Sequence, residues 1–378
     1  MGMIGGGKDA FIGAVHRMAA NLDGLVELVC GAFSANPEKS KASGAALFLN
    51  PERCYANYTE MIEKEATLPA AERMQFVSIV TPNHLHFEPA LLALEKGFHV
   101  LIDKPISFNL AQAKILHQKA TEKKLQVCLT HTYSGYPMVQ QAKGMIARGD
   151  LGRIRKIIVS YPQGWLAQPT GPENKQADWR TDPNRSGISG CMGDIGTHAA
   201  HLAEFMSGLE ITELCADLYR VVEGRKLDDD GNVLLRFNNG ANGILMASQI
   251  ASGEENALSI SIYGDKGGLS WSQMDPNNLI LKWPDQPQQV YRTGQPYLLP
   301  EVSEFTRTPA GHPEGYIEAF ANLYKHFALC ISALSRGDLA LAASYHFPST
   351  LEGIRGMAFI ENVVAASDAD LKWHPFKI

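Results

Sequence analysis

Over the first ~130 residues, short continuous apolar runs alternate with segments whose apolar residues recur at helical spacing. Met1–Ile4 is a run, and after a glycine cluster Phe11–Leu22 reads as a helix. Leu25–Phe33 predicts a strand, and the surroundings of Glu60–Ala66 predict a helix. Phe76–Thr81 is a β-branched strand that stops at Pro82, and Glu88–Lys96 is a helix ending at Gly97. His99–Ile102 and Leu125–Thr130 are strands flanking a helix over Ala111–Lys124. Continuously apolar strands alternating with helices predict a parallel sheet covered on both faces.

The pattern changes after Tyr133. Met138–Arg148 reads as a helix. Strands then come in series: Ile154–Tyr161, Thr212–Val222, Asn232–Phe237, Gly243–Ser252, Ala257–Tyr263, Leu269–Ser272 and Leu279–Trp283. Turn sequences at Asn238–Gly240 and Asp265–Gly268 join several of them, which predicts a large, mostly antiparallel sheet. The polar, Pro-containing stretch Asp285–Gln295 reads as a surface loop. Long helices over Tyr316–Leu334 and Ser349–Ala366 close the chain. The fold class is α/β: a parallel-sheet domain over residues 1–132, then an α/β domain with a large open sheet over 133–378.

The 378 residues suit two domains, and 45% hydrophobic with 20% charged residues is an ordinary globular balance. A net charge of −6 argues against a nucleic-acid partner. No apolar run approaches the ~20 residues of a membrane span. The six cysteines are scattered without a CxxC pair and read as reduced thiols of a cytoplasmic protein. The first strand is short, so the natural chain is expected to begin several residues upstream of Met1.

Three stretches carry chemistry. In the first, GMIGGGKDAFIGAVHR, Gly5 and Gly7 form a G-x-G between a strand and a helix. Glycine permits the tight turn, and the helix N-terminus offers free N–H groups to phosphate. The third small residue is Ala10 under strict spacing, or Gly13 if the loop is three residues longer. A carboxylate is expected after the second strand to hold the ribose 2′-OH. Ser34 occupies that slot, with Lys39 and Lys41 nearby, so NAD and NADP both stay open as cofactors.

The second stretch, TPNHLHFEPALLALEKGFHVLIDKP, joins two strands through one helix. Thr81, Pro82, Asn83 and His86 stand at a strand's C-terminal end, where ligands bind in open α/β sheets. Asp103 and Lys104 end the next strand, and Pro105 fixes the backbone behind them. A lysine there can steady a developing alkoxide or exchange a proton. In the third, SGCMGDIGTHAAHLAEFM, the residues Asp194, His198 and His201 share one face if the segment is α-helical. An aspartate placed there orients an imidazole as a proton acceptor. No further ligand at recognisable spacing supports a metal, and Cys191 reads as a small buried residue.

These stretches, with THTYSGYP between them, make the chain resemble the Gfo/Idh/MocA oxidoreductases, which include glucose–fructose oxidoreductase and inositol dehydrogenase. The resemblance implies a Rossmann domain, an open-sheet α/β domain that commonly packs on another subunit, and an active site in the cleft. It implies that Lys104 is the lysine of the family's E-K-P motif, and that Asp194 and His198 are its D-x-x-x-H pair. It further implies that Asn83, His86, Asp103 and Lys104 line the cofactor, alongside Gly5, Gly7, Lys8, Ser34, Thr81 and Pro82. Departures are Ser34 for the acid, Ser134 for an arginine and His201 for an aspartate. Tyr133, Trp165, Trp179, Arg180 and His312 are substrate-binding candidates, since tryptophan stacks on sugar faces and arginine binds oxygens.

The expected activity is NAD(P)-dependent oxidation of a ring hydroxyl of a sugar, cyclitol or related polyol, by a cytoplasmic homodimer or homotetramer. Two alternatives stand beside it: a catalytically silent NAD(P)- and sugar-binding regulator, and a cofactor-recycling lyase or glycosidase.

Overall fold

The computed structural model describes residues 1–8, 10–171 and 174–378, which form two compact units. Unit 1 comprises Met1–His131 and Phe320–Ile354; unit 2 comprises Thr132–Ala319 and Arg355–Ile378.

The strands of unit 1 are β1 (Gly2–Gly5), β2 (Cys30–Ala32), β3 (Phe76–Val80), β4 (His99–Ile102) and β5 (Val127–Leu129). They pair in parallel in the order β2-β1-β3-β4-β5. Between them run helices α1 (Phe11–Asn21), α2 (Pro37–Ala46), α3 (Tyr58–Thr67), α4 (Phe87–Glu95) and α5 (Leu110–Lys123). Every residue of β3 is buried, as a strand covered on both faces requires. The predicted strand over Leu25–Phe33 shrinks to Cys30–Ala32 because β1, its partner, begins only at Gly2. Lys39 and Lys41 lie on α2, which Asn36 caps by accepting from the Lys39 N–H at 3.0 Å.

Unit 2 begins with α6 (Pro137–Ala147) and β6 (Ile154–Pro162). Two short helices, α7 (Lys175–Arg180) and α8 (Pro183–Ser186), precede a π-turn over Met192–Gly196 that runs into α9 (Thr197–Ser207). The remaining strands are β7 (Ile211–Tyr219), β8 (Asp230–Phe237), β9 (Asn242–Ser248), β10 (Ser259–Gly264), β11 (Gly268–Ser272), β12 (Asn278–Lys282), β13 (Gln289–Arg292) and, at the end of the chain, β14 (His374–Pro375). The nine-stranded order is β13-β12-β11-β10-β6-β9-β8-β7-β14. All pairs are antiparallel except β6 with β9. The edge strand β13 lies in the stretch read as a loop; its Val290 and Tyr291 pair with β12 despite their polar surroundings. In β8 and β9 buried and exposed residues largely alternate, so one face packs on the core with α6 and α9 and the other faces outward.

Three helices complete the chain: α10 (Tyr316–Ser335), α11 (Leu339–Ser344) and α12 (Thr350–Ser367). Unit 1 is thus not confined to residues before 132: Phe320–Ile354 clusters with it. The cause is aromatic packing. Phe320 meets the His16 ring edge-on at 4.6 Å, and Phe327 meets Phe76 edge-on at 5.2 Å. The Tyr324 hydroxyl lies 2.7 Å from His16 Nδ1 and 2.8 Å from Ser78 Oγ, all three groups being buried. Burial lowers the His16 pKa to about 4, so its ring is neutral at physiological pH. Phe327→Ala is expected to destabilise unit 1 by ~3–5 kcal/mol, whereas Leu371→Ala on the surface should change stability by less than ~0.5 kcal/mol. Urea unfolding of the full chain, followed by circular dichroism, compares the two.

Candidate active site

A cavity of about 700 Å³ opens at the C-terminal edge of the unit 1 sheet, where β1, β2 and β3 end. Gly5, Gly7, Lys8, Ser34, Thr81 and Pro82 all line it. Gly5 and Gly6 have φ of +81° and +69°, conformations that favour glycine. A Cβ on Gly7 would stand 2.9 Å from the Phe33 carbonyl oxygen. A Cβ on Gly13 would stand 2.3 Å from the Gly6 Cα, so Gly13 is the glycine that lets α1 pack on the loop. Ala10 is the N-cap of α1 and supplies no side-chain cap, and the first turn carries no acid. The first N–H groups of α1 thus remain for an anion, and the cradle fits a dinucleotide pyrophosphate.

Ser34 Oγ accepts from the Asn36 N–H at 3.1 Å, and Lys39 joins Ser34 in the cavity wall. The wall at the end of β2 (Ala32, Phe33, Ser34 and Ala35) carries no carboxylate.

Asn83, Asp103 and Lys104 stand at the ends of β3 and β4, outside the cavity lining. The Asp103 N–H donates to the Ile79 carbonyl at 3.0 Å, which locks the two strand ends in register. Asp103 Oδ1 accepts from the Lys104 N–H at 2.9 Å and from Thr130 Oγ1 at 2.7 Å. Asp103 is therefore a brace for the turn, with Lys104 half-buried beside it and a cis peptide leading into Pro105. His86 is not part of the cavity lining. Its ring is fully buried, with Nδ1 2.7 Å from the Pro105 carbonyl oxygen and Nε2 2.8 Å from that of Thr81. Both nitrogens are engaged with backbone.

In unit 2 the third stretch is not a regular α-helix. Asp194 lies in the π-turn and His198 in α9, so the α-helical spacing expected between them is broken, whereas His198 and His201 both lie in α9. Asp228, itself buried, fixes the start of this turn by accepting from the Gly190 and Met192 N–H groups, each at 2.8 Å. Asp194 Oδ2 accepts from Gln249 Nε2 at 2.9 Å and Arg180 Nε at 3.2 Å. The Arg180 guanidinium lies 4.2 Å from the centre of the Trp179 ring and 5.9 Å from that of Trp165. Asp194, Arg180, Trp165 and Trp179 thus form one group, although they are scattered along the chain.

His198 is largely buried, and the Tyr133 ring meets it edge-on at 5.0 Å. Tyr133 carries a further constraint. Tyr161 Oη donates to Asn256 Oδ1 at 2.7 Å, and Asn256 Nδ2 donates to Tyr133 Oη at 3.2 Å. The remaining contact, between the two hydroxyls, must then run from Tyr133 to Tyr161. Burial raises both phenol pKa values, so neither ionises near neutrality. The Tyr133 proton is committed to this three-membered cycle, and its ring supports His198. His312 is exposed and bonds within its own turn, to Pro309 at 3.2 Å. His201 stacks on Phe205 at 5.5 Å and reads as a core residue, and Cys191 is fully buried. Among the described residues no group of three or more His, Cys, Asp or Glu side chains is placed to hold a metal ion.

Gln249, Tyr161 and Asn256 were not foreseen. They sit on or beside strands β6, β9 and β10, outside any motif, and only sheet pairing brings them to the Asp194 and His198 region.

Residues 1–131 match the oxidoreductase family with an NAD-binding Rossmann fold, and residues 139–270 match the GFO/IDH/MocA C-terminal domain. The chain is 35% identical to an uncharacterized oxidoreductase, YfiI, of Bacillus subtilis (strain 168), over 99% of this chain and 96% of that protein. It is 28% identical to levoglucosan dehydrogenase of Pseudarthrobacter phenanthrenivorans, over 71% and 72% of the two chains. A solved inositol dehydrogenase homolog from Azotobacter vinelandii, complexed with NADH and myo-inositol, superposes with a TM-score of 0.93 at 35% identity, covering 99% of this chain and 97% of that one. Among the described residues no helix is long and apolar enough to cross a membrane. With two family models matched over residues 1–131 and 139–270 and a relative of this similarity along its length, the chain belongs to the GFO/IDH/MocA family of NAD-binding oxidoreductases.

Proposed function

We propose that this protein oxidises a secondary hydroxyl on the ring of a sugar, cyclitol or related polyol, using NAD or NADP. The observation that carries this reading is the Asp194 group: a carboxylate held by Arg180 and Gln249, flanked by Trp165 and Trp179, four residues before a buried histidine. A carboxylate and a guanidinium read hydroxyl groups, and indole faces accept the C–H face of a sugar ring. Relatives named for levoglucosan and inositol point to the same substrate class.

The dinucleotide, when bound, supplies the hydride acceptor. His198 takes the hydroxyl proton as the carbinol carbon gives up its hydride. Its ring orientation is supported by the edge of Tyr133, whose own proton is committed elsewhere. Lys104, on the braced turn after β4, donates a hydrogen bond to the same oxygen and steadies the charge developing there. Trp165, 39% exposed, is the platform for the ring.

Assembly belongs to this reading. Across the outward face of the second sheet runs one register row: Val290, Ile280, Ser270, Ser261, Ile158, Ile244, Leu234 and Cys215. No charge interrupts it, and Ile158, Ile244, Leu234 and Val290 are exposed. Lys156, Asn242, Arg236 and Glu213 form a polar row beside it. An apolar strip with a polar rim on an open sheet fits a second copy of the same face. It supports a homodimer or a larger assembly built on it.

Three outcomes are expected. Lys104→Ala and His198→Ala each lower turnover by roughly 10²–10⁴-fold while dinucleotide affinity, read by fluorescence, stays close to that of the unaltered protein. The assay follows reduced nicotinamide absorbance against cyclitols, aldoses and anhydrosugars; near-normal turnover in both variants rejects these roles. Second, Ser34→Asp raises the KM for NADP by ~tenfold or more and leaves NAD far less affected, because a carboxylate repels the 2′-phosphate. An equal change for both cofactors would show that the ribose does not reach Ser34. Third, Ile244→Glu shifts the mass measured by light scattering toward the monomer; a monomeric unaltered protein defeats the assembly reading.

A further inference from the structure

His86 stands on the short turn between β3 and α4, with no exposed surface. Its two ring nitrogens face two backbone carbonyl oxygens, Pro105 at 2.7 Å and Thr81 at 2.8 Å. A carbonyl oxygen only accepts, and a neutral imidazole has one N–H and one lone pair. With a neutral ring, one of these contacts would set a lone pair against a lone pair at a ring with no exposed surface. Only the imidazolium, a donor at both nitrogens, satisfies both.

The two carbonyls belong to the two segments that matter for the proposed reaction. Thr81 directly follows β3 and lines the dinucleotide cavity, while Pro105 directly follows Lys104. We propose that His86 is a doubly donating imidazolium and a positioning residue for Lys104, clamping the turn that carries the lysine to the wall of the dinucleotide cavity. This rests on the reading of Lys104 as the residue that steadies the substrate oxygen.

The charges around the ring bear on its ionisation. Burial pulls its proton affinity down; Asp103 and the two acceptors pull it up, and Lys104 opposes them. His16, on α1, is the other titratable ring acting here, and its own pKa of about 4 leaves it neutral. Burial is the largest of these influences and the net shift is downward; the charged form rests on the geometry of the two acceptor contacts, with Asp103 as counter-ion. Asp103 thereby braces the turn through the Lys104 N–H and Thr130 and also compensates the cation beneath it.

The clamp has a geometric purpose. A reacting group moved by about 1 Å loses on the order of 10²-fold in rate. Asp103 N–H on Ile79 fixes the end of β4, but the backbone beyond it, through Lys104 and Pro105, is held from the β3 side by His86.

Two experiments test this on the full chain. In protein labelled with ¹⁵N-histidine, the ring spectrum at pH 8 should contain one imidazole protonated at both nitrogens, and His86→Gln should remove it. Single protonation of that ring overturns the proposal. His86→Gly should lower kcat roughly 10–100-fold, more than it weakens NAD binding. Added imidazole should restore turnover several-fold. Added 1-methylimidazole, which has one N–H at most even as a cation, should not. Unchanged turnover, no rescue by imidazole, or equal rescue by both compounds overturns the positioning role; if the glycine variant does not fold, the spectrum decides. Normal turnover in Lys104→Ala would remove the reading of the lysine and leave the spectral result for His86 standing.

Discussion

The approach of α1 to the loop after β1 depends on two glycines that meet without side chains. A Cβ on Gly13 would fall 2.3 Å from the Gly6 Cα, inside the contact distance of any two carbons. Because that contact closes, the uncapped end of α1 abuts the turn at Gly5–Gly7, and the cavity at the sheet edge acquires its phosphate end. Every later element of unit 1 is organised on that edge. Strand β3 delivers Thr81 and Pro82 to the cavity wall, β4 delivers Asp103 and Lys104 beside it, and Thr130 after β5 ties down Asp103.

Unit 2 solves a different problem, holding polar groups in a largely apolar surround. Asp194 and Asp228 are carboxylates with opposite duties. Asp228 spends both oxygens on backbone N–H groups and sets the course of the π-turn. Asp194 meets side chains, Arg180 and Gln249, that a ligand hydroxyl can join. The tyrosine cycle beside His198 is closed on itself, so it offers shape to the histidine and withholds protons from it.

Much of this was legible in the sequence because it obeys short-range rules. The continuous apolar runs ending in Pro82 and Asp103 announce parallel strands, and the glycine cluster announces its turn. Lys104, Asp194 and His198 stood out because each sits in a recognisable local context. What the sequence did not show depends on pairing at long range. Gln249 reaches Asp194 only because β9 packs beside the π-turn, and Asn256 reaches Tyr133 only through the approach to β10. The π-turn broke the assumption of a regular helical face around Asp194. His86 read as a ligand-facing residue because a strand end usually is one; its burial follows from the Lys104–Pro105 turn folding over it, which no periodicity reveals.

The return of Phe320–Ile354 to unit 1 bears on how such a protein can be inherited. A gene fragment ending near residue 131 would encode a sheet without Phe320, Tyr324 and Phe327, leaving the Phe76 and His16 surfaces bare. The helices α10 and α12 each begin in one unit and end in the other, so neither unit is a continuous segment of chain. Recombination at a single crossover cannot exchange one unit for that of a relative. A swap of unit 1 between relatives therefore needs crossovers on both sides of Phe320–Ile354 as well as one near residue 131.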